Sequence, residues 1–190
     1  LSPQEQLDVI SIRVRALVDR QYRCFNALAA RDLPACGVRL RSWQELTEAE
    51  QQHLRAHFDD QVFSVLTPKA LTGAPGHPFP LIEDLHLSLA LMTRAEGGGP
   101  VHFAHVGVPD ALSRFVRLPD GTDFVLVEEV IRANIGVLFP GRRVQEVHPF
   151  RVTRLGDLDL DEQVTADFLQ AIEDEVRRRP QARGGDEHDP

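Results

Sequence analysis

The stretch LHLSLAL, residues 85–91, carries an apolar side chain at every second position. Alternation with a period of two predicts a β-strand with one apolar face. Residues 101–108, VHFAHVGV, follow a run of three glycines at 97–99 and predict a neighbouring strand joined by a hairpin turn. The two segments together predict a β-sheet at the centre of the chain.

Further strands are predicted around this hairpin. They lie at 62–66, at 124–127 after an Asp-Gly turn at 120–121, and at 144–153, while the Gly- and Pro-rich stretch 72–80 predicts a loop. Helical segments interrupt the strands in irregular order. We therefore predict an α+β fold, with a mixed β-sheet flanked by helices.

The chain opens with a predicted long helix. SPQE at 2–5 is a capping box with proline at the first helical position, and Pro34 with Gly37 is expected to end the helix. Its apolar seam must bury against other helices, so we expect it to be the last helix of a truncated helical domain. The seam consists of Leu7, Ile10, Val14, Leu17, Cys24 and Leu28.

Three more helices are predicted downstream. A second capping box at 47–50 predicts a helix that reaches about Phe58. Helical spacing of apolar residues predicts a helix at 128–138 and a final one at 164–176. The polar, glycine-bearing tail is expected to be disordered.

Composition narrows the class of protein. The chain has 190 residues, 42% hydrophobic content and a formal net charge of -8, which indicates a globular protein and argues against nucleic acid as a partner. The apolar segment 85–92 falls well short of the roughly 20 residues that span a bilayer, so we expect no transmembrane segment. Cys24 and Cys36 lack metal-ligand spacing, and a reduced cytoplasm is expected.

No metal site and no catalytic residue is predicted from the residues themselves. His102 and His105 are separated by an odd number of positions in a predicted strand, so they point to opposite faces. His53 and His57 have zinc-pair spacing but lack the accompanying glutamate, and we interpret them as surface histidines. The acidic run 157–162 begins like a calcium loop but lacks its glycine, and a helix-capping role fits it better.

Three arginines are candidate anion contacts. Arg114, Arg151 and Arg154 lie in or beside predicted strands, where a guanidinium could hold a phosphate. The alternative is an ion pair with nearby acids, and for Arg154 the neighbouring Asp157 and Asp159 favour that alternative.

Four sequence blocks occur in an order typical of one family. They are LSPQEQL at 1–7 with YRCFN at 22–26, VLTP at 65–68 with HPFP at 77–80, VP at 108–109 with RFV at 114–116, and FRVTR at 150–154. The chain thereby resembles the bacterial polyphosphate kinases over most of its length.

The resemblance implies a domain organisation. Residues 1–40 are expected to be the C-terminal helical part of the N-terminal domain, 41–179 the middle or head domain, and 180–190 a disordered tail. In the family, the whole enzyme reversibly transfers the terminal phosphate of ATP to polyphosphate through a phosphohistidine, with ATP and Mg²⁺. The head domain contributes to homo-oligomer contacts and helps to frame the polyphosphate tunnel.

The resemblance also implies what these residues lack. The family's catalytic residues lie in later domains, and no position here corresponds to them. We therefore expect a fragment that is inactive alone and that contains no cofactor site of its own. The alternative is a stand-alone α+β module that binds an anionic ligand or a protein partner.

Overall fold

The computed structural model describes residues 2–70 and 82–153, and they fall into two compact units. Unit 1 contains the described chain up to Leu54 together with Arg114–Val127, and unit 2 contains the described residues of Arg55–Ser113 and residues 128–153. The helices are α1 (Pro3–Ala27), α2 (Leu33–Ala35), α3 (Glu48–His57) and α4 (Val127–Asn134). The strands are β1 (Arg39–Leu40), β2 (Pro68–Ala70), β3 (Leu87–Ala95), β4 (Val101–Gly107), β5 (Phe115–Arg117), β6 (Asp123–Leu126) and β7 (Arg142–Arg151).

Helix α1 begins as the capping box predicts. The Ser2 hydroxyl accepts a hydrogen bond from the Glu5 amide at 3.2 Å, and the Glu5 carboxylate accepts one from the Ser2 amide at 2.7 Å. The helix continues beyond Ala27 as a π-helical turn and then as α2, and the chain turns away at Gly37, whose φ is +78°. No residue of α1 is buried among the described residues.

Unit 1 contains a small mixed sheet with the strand order β1-β6-β5. β1 pairs parallel to β6, with Arg39 opposite Asp123, whereas β5 pairs antiparallel to β6. The sequence analysis did not predict β1 or β5, because strands of two and three residues are too short to show a period.

Unit 2 contains a four-stranded antiparallel sheet with the order β2-β4-β3-β7. The central hairpin is confirmed: β3 and β4 pair with Ala90 opposite His105. On its other side β3 pairs with β7, which confirms the strand predicted at 144–153 with bounds a few residues earlier. Ala90, Met92, Phe103, Ile82 and Val152 form a buried apolar cluster on this sheet.

The strand predicted at 62–66 is wrong. Those residues lie in a π-helical turn, Phe58–Val62, followed by a 3-10 turn, Phe63–Val65. Phe58, Val62 and Leu66 are buried while Phe63 and Val65 are exposed, so burial recurs every four residues. The apolar run therefore follows the period of a helix and not that of a strand.

The remaining predictions divide into two groups. The helices at 47–58 and 128–138 are confirmed as α3 and as α4 with the 3-10 turn Ile135–Leu138. The loop at 72–80, the helix at 164–176 and the disordered tail lie outside the described residues. The α+β class is confirmed. In the part of the chain that the structure describes, no helix is both long and apolar enough to cross a membrane.

Candidate functional site

The three predicted anion contacts are not brought into one described site. Arg114 is exposed just before β5 in unit 1, where its carbonyl accepts a 2.9 Å hydrogen bond from the Val127 amide. Arg151 is exposed at the last residue of β7 in unit 2, opposite Leu87. Arg154 lies outside the described residues. A role for any of them in anion binding stays a prediction.

Unit 1 contains a buried ion-pair cluster centred on Asp123. This residue is 1% exposed at the start of β6, and its Oδ1 accepts from Arg39 Nε at 3.0 Å. Its Oδ2 lies 2.9 Å from Arg39 Nη2 and 3.0 Å from Arg41 Nη1. Burial alone would raise the pKa of Asp123, but the hydrogen bonds and charges of the two guanidiniums outweigh it and hold that pKa below its usual value.

This cluster is a structural element rather than a ligand site. Both carboxylate oxygens are occupied by arginines that arrive with β1 and the residue after it, so Asp123 ties β1 to β6. Sequence reasoning missed it because Arg39 and Asp123 are 84 positions apart and nothing local links them.

Unit 2 contains a cavity of about 370 Å³ on one face of its sheet. Its inner wall comes from β2, β3 and β4, and its outer wall comes from the segments that precede β3 and follow β4. Both apolar and hydrogen-bonding side chains line it. They are Val65, Thr67, Lys69, Ile82, Glu83, His86, Ser88, His105, Gly107, Val108, Pro109 and Asp110.

His105 lies on the inner wall of this cavity and is 3% exposed. Strand register places it between Lys69 of β2 and Ala90 of β3. Neither of its ring nitrogens has a hydrogen-bond partner in the structure, whose description covers residues 2–70 and 82–153. Burial and then the nearby charge of Lys69 lower the pKa of His105 to about 4, so the ring is neutral at physiological pH.

Small side chains beside His105 leave the space that forms the cavity. Ser88 lies opposite Gly107 in the β3–β4 register, and a Cβ added at Gly107 would meet nothing within 4 Å. Ser88 is itself buried, with 3% exposure, so its hydroxyl belongs to the inner wall. A larger residue at 107 would occupy the cavity without backbone strain, because the φ of Gly107 is not positive.

The outer wall is acidic. Nδ1 of His86 lies 3.4 Å from a Glu83 carboxylate oxygen, and Nε2 of the same ring lies 3.6 Å from an Asp110 carboxylate oxygen. Glu83 and Asp110 are 65% and 82% exposed, which places them at the solvent side. The lining thus includes the buried His105 and the half-buried Lys69, together with two exposed carboxylates.

The prediction that His102 and His105 point to opposite faces of the sheet is confirmed. His102 pairs with Thr93 and His105 with Ala90, so the two histidines face opposite sides of the sheet as alternation predicts. The sequence analysis weighed His105 only as a metal ligand and missed the cavity, because the residues that shape it come from distant segments. Among the described residues no group of three or more His, Cys, Asp or Glu side chains is placed to hold a metal ion.

Comparison with known proteins places the chain in a family. A family model described as the polyphosphate kinase middle domain matches residues 49–183. The chain belongs to the polyphosphate kinase family. The match covers strands β2 to β7 and extends past the described residues.

Individual relatives agree with this assignment. The chain is 44% identical over 179 residues to a polyphosphate kinase of Streptomyces coelicolor and 40% identical over 190 residues to one of Mycobacterium marinum. Each alignment covers 94% of this chain and 24% or 25% of the relative, so the chain spans about a quarter of their length. A crystal structure of polyphosphate kinase from Porphyromonas gingivalis superposes with a TM-score of 0.67 at 25% identity, covering 93% of this chain and 30% of that one.

Proposed function

We propose that these residues are the head-domain part of a polyphosphate kinase, which reversibly transfers the terminal phosphate of ATP to polyphosphate. The observation that carries the proposal is the middle-domain match over 49–183. In this proposal the ATP and Mg²⁺ used by the whole enzyme are held by other domains. A cytoplasmic location belongs to the same proposal, because ATP is the phosphate donor.

The proposed role of this part is assembly. Helix α1 exposes a continuous apolar seam, with Leu7, Ile10, Val14 and Leu17 each about half exposed or more. An apolar surface of this extent is typical of an interaction site. We assign residues 1–40 to the end of the helical N-terminal domain, whose other helices cover this seam in the whole enzyme, and residues 41–179 to the head domain. In the same proposal, the head domain contributes contacts between subunits of a homo-oligomer.

The second proposed role is to frame the polyphosphate tunnel. Arg114, Arg151 and Arg154 are the candidate contacts, and the exposed guanidiniums of Arg114 and Arg151 support the proposal for those two. Arginine suits this task because its planar fork can hold phosphate oxygens with two hydrogen bonds.

Activity of the chain alone tests where catalysis lies. The purified chain is incubated with γ-labelled ATP and Mg²⁺, beside the full-length Streptomyces coelicolor relative as the positive control. We expect no polyphosphate and no acid-labile label on this chain, because phosphoryl transfer needs a positioned nucleophile and bound metal that these residues do not supply. Acid-labile label retained on the chain would contradict the proposal.

Polyphosphate binding tests the tunnel role. Arg151→Gln should weaken binding of a polyphosphate of defined length, while Arg143→Gln should not. Arg143 is a matched control because it is an exposed arginine on the same strand. Arg143 pairs with Arg94 of β3, whereas Arg151 pairs with Leu87 of β3. Positions 87 and 94 differ by an odd number, so the two arginines lie on opposite faces of the sheet. Equal loss in both variants would show only a general charge effect. No binding by the unsubstituted chain would favour the alternative, a non-enzymatic module for another ligand or partner.

A further inference from the structure

The cavity of unit 2 contains a hydrogen-bonding group that the described protein leaves unused. His105 is 3% exposed, and neither of its ring nitrogens has a partner in the described parts of the chain. Buried polar groups are normally paired, because an unpaired one loses its contact with water and gains nothing in return. A bound molecule that hydrogen-bonds to the ring would restore the missing contact.

The charged side chains of the lining are already engaged within the protein. The His86 ring lies between carboxylate oxygens of Glu83 and Asp110, at 3.4 and 3.6 Å. Lys69 is half-buried and has an interaction of its own. A charged ligand would have to compete with these contacts, so the lining favours an uncharged molecule.

The uncharged polar groups of the lining can pair with a donor and an acceptor together. Ser88 pairs with Gly107 and Ala90 pairs with His105, so Ser88 and His105 lie on the same face of the sheet as diagonal neighbours. Both side chains line the cavity. A neutral imidazole carries one N–H donor and one acceptor nitrogen, and a hydroxyl can also act in either role. A ligand group that combines a carbonyl with an N–H would match the two side chains.

The His105 ring must turn to take part in such a contact. Both of its nitrogens are closed to solvent in this structure. Rotation about χ2 changes the ring edge that faces the cavity, and this torsion is broad for histidine. Gly107, two positions along β4, leaves space beside the ring, because an added Cβ there would meet nothing within 4 Å. Binding should therefore change the environment of the ring itself.

The rest of the lining limits the ligand to a small molecule with an apolar part. A volume of about 370 Å³ lies at the lower end of the range for ligand pockets, which is roughly 300 to 1,000 Å³. The apolar side chains of the lining are Val65, Ile82, Val108 and Pro109.

We propose that this cavity binds a small uncharged molecule of the aliphatic carboxamide class. Its amide group pairs with His105 and Ser88, and its hydrocarbon part lies against the apolar side chains. The proposal concerns unit 2 alone and does not depend on the phosphotransferase assignment.

Three probes of one size separate the effects of charge and hydrogen bonding: butyramide, 2-pentanone and butyrate. NMR titration of the His105 ring signals in the complete chain follows their binding. We expect butyramide to shift these signals saturably and to bind about tenfold more tightly than 2-pentanone, a difference of about 1.4 kcal/mol, because the ketone has no N–H donor. Butyrate should bind more weakly than butyramide, because its charge must leave water. Equal binding of the three probes, tighter binding of butyrate, or no saturable shift with butyramide would overturn the proposal.

A cavity-filling variant locates the site. Gly107→Leu should abolish the response to butyramide, whereas Gly97→Leu should keep it, because that glycine lies in the β3–β4 turn and also has open space around an added Cβ. Unchanged binding in Gly107→Leu would mean that the probe binds elsewhere and that the assignment is wrong.

A second variant tests the hydrogen bonds with little change of shape. Ser88→Ala should bring butyramide close to the affinity of 2-pentanone, because the amide then keeps only His105 as a partner. Ser64→Ala removes an exposed hydroxyl that does not line the cavity and should keep the preference for butyramide. An undiminished preference in Ser88→Ala would contradict the proposed position of the amide group.

Discussion

Asp123 joins two segments of unit 1 that are more than eighty positions apart. Its two oxygens accept from Arg39 and Arg41, and it is 1% exposed. We expect Asp123→Asn to lower the free energy of unfolding by about 1.5 to 3 kcal/mol, the range for a hydrogen bond to a charged group. Denaturant melts measure the change.

A surface aspartate provides the control for this change. Asp59 is exposed, so Asp59→Asn should alter stability by less than about 0.5 kcal/mol. If both variants lose the same stability, the arginine contacts of Asp123 contribute nothing specific.

His105 predicts a pH dependence of stability. Its pKa is about 4 in the folded chain and about 6.5 when exposed, so between these values the unfolded state binds more protons. The stability associated with the neutral ring is fully present above pH 6.5 and is lost as the pH falls toward 4. The largest loss attributable to this residue is about 3 kcal/mol.

The contribution of His105 to the pH dependence of stability is measured by comparing the unsubstituted chain with His105→Leu. Asp123 also loses stabilisation in acid, because its pKa is depressed in the folded chain, so the unsubstituted chain has more than one source of pH dependence. Chemical melts at several pH values should show a flatter profile for His105→Leu between pH 6.5 and 4.5 than for the unsubstituted chain. Parallel profiles would mean that the ring is not buried in neutral form.

At the scale of elements, α1 presents an apolar seam that no described residue covers. We expect the chain to self-associate through it, because exposed apolar surface of this extent drives association. Ile10→Gln combined with Leu17→Gln should shift the sedimentation of the chain toward the monomer. Arg15→Gln with Arg23→Gln is the matched control, because helical spacing places these arginines on the face opposite the seam, and it should leave the association unchanged. A chain that is already monomeric without substitution would contradict this prediction.

The accuracy of the sequence predictions differs between elements for a physical reason. α1 and α3 were predicted because capping boxes are local: Ser2 with Glu5, and Thr47 with Glu50, make their hydrogen bonds within three residues. The β3–β4 hairpin was predicted because alternation and a glycine turn are also local.

Features that depend on distant partners were not predicted. The run at 62–66 satisfies both a strand pattern and part of a helical one, and only burial of Phe58 and Val62 on one side selects the helical form. The pairing of β1 with β6 and the cavity around His105 have no local signal, because their parts meet only in the folded chain.

At the scale of the whole molecule, the predicted domain boundary after residue 40 would separate β1 from the sheet to which it pairs. Arg39 and Leu40 lie opposite Asp123 and Phe124 of β6. We expect a chain that starts at residue 41 to be less stable than one that starts at residue 37 by about 1 to 3 kcal/mol, since it loses the β1 hydrogen bonds and one arginine of the cluster.

Guanidinium melts of the two truncated chains measure this difference. Both lack α1, so the comparison isolates β1. Equal midpoints would support 40/41 as the boundary, whereas a lower midpoint for the shorter chain would place β1 with the domain that follows it.

The parallel pairing of β1 with β6 also affects the order in which the chain can fold during its synthesis. During synthesis at 5 to 20 residues per second, Asp123 is added roughly 4 to 17 s after Arg39. β1 meanwhile has no strand to pair with. Early interruption of translation would therefore leave a nascent chain with an unpaired strand, and unpaired strand edges promote aggregation of unfinished proteins.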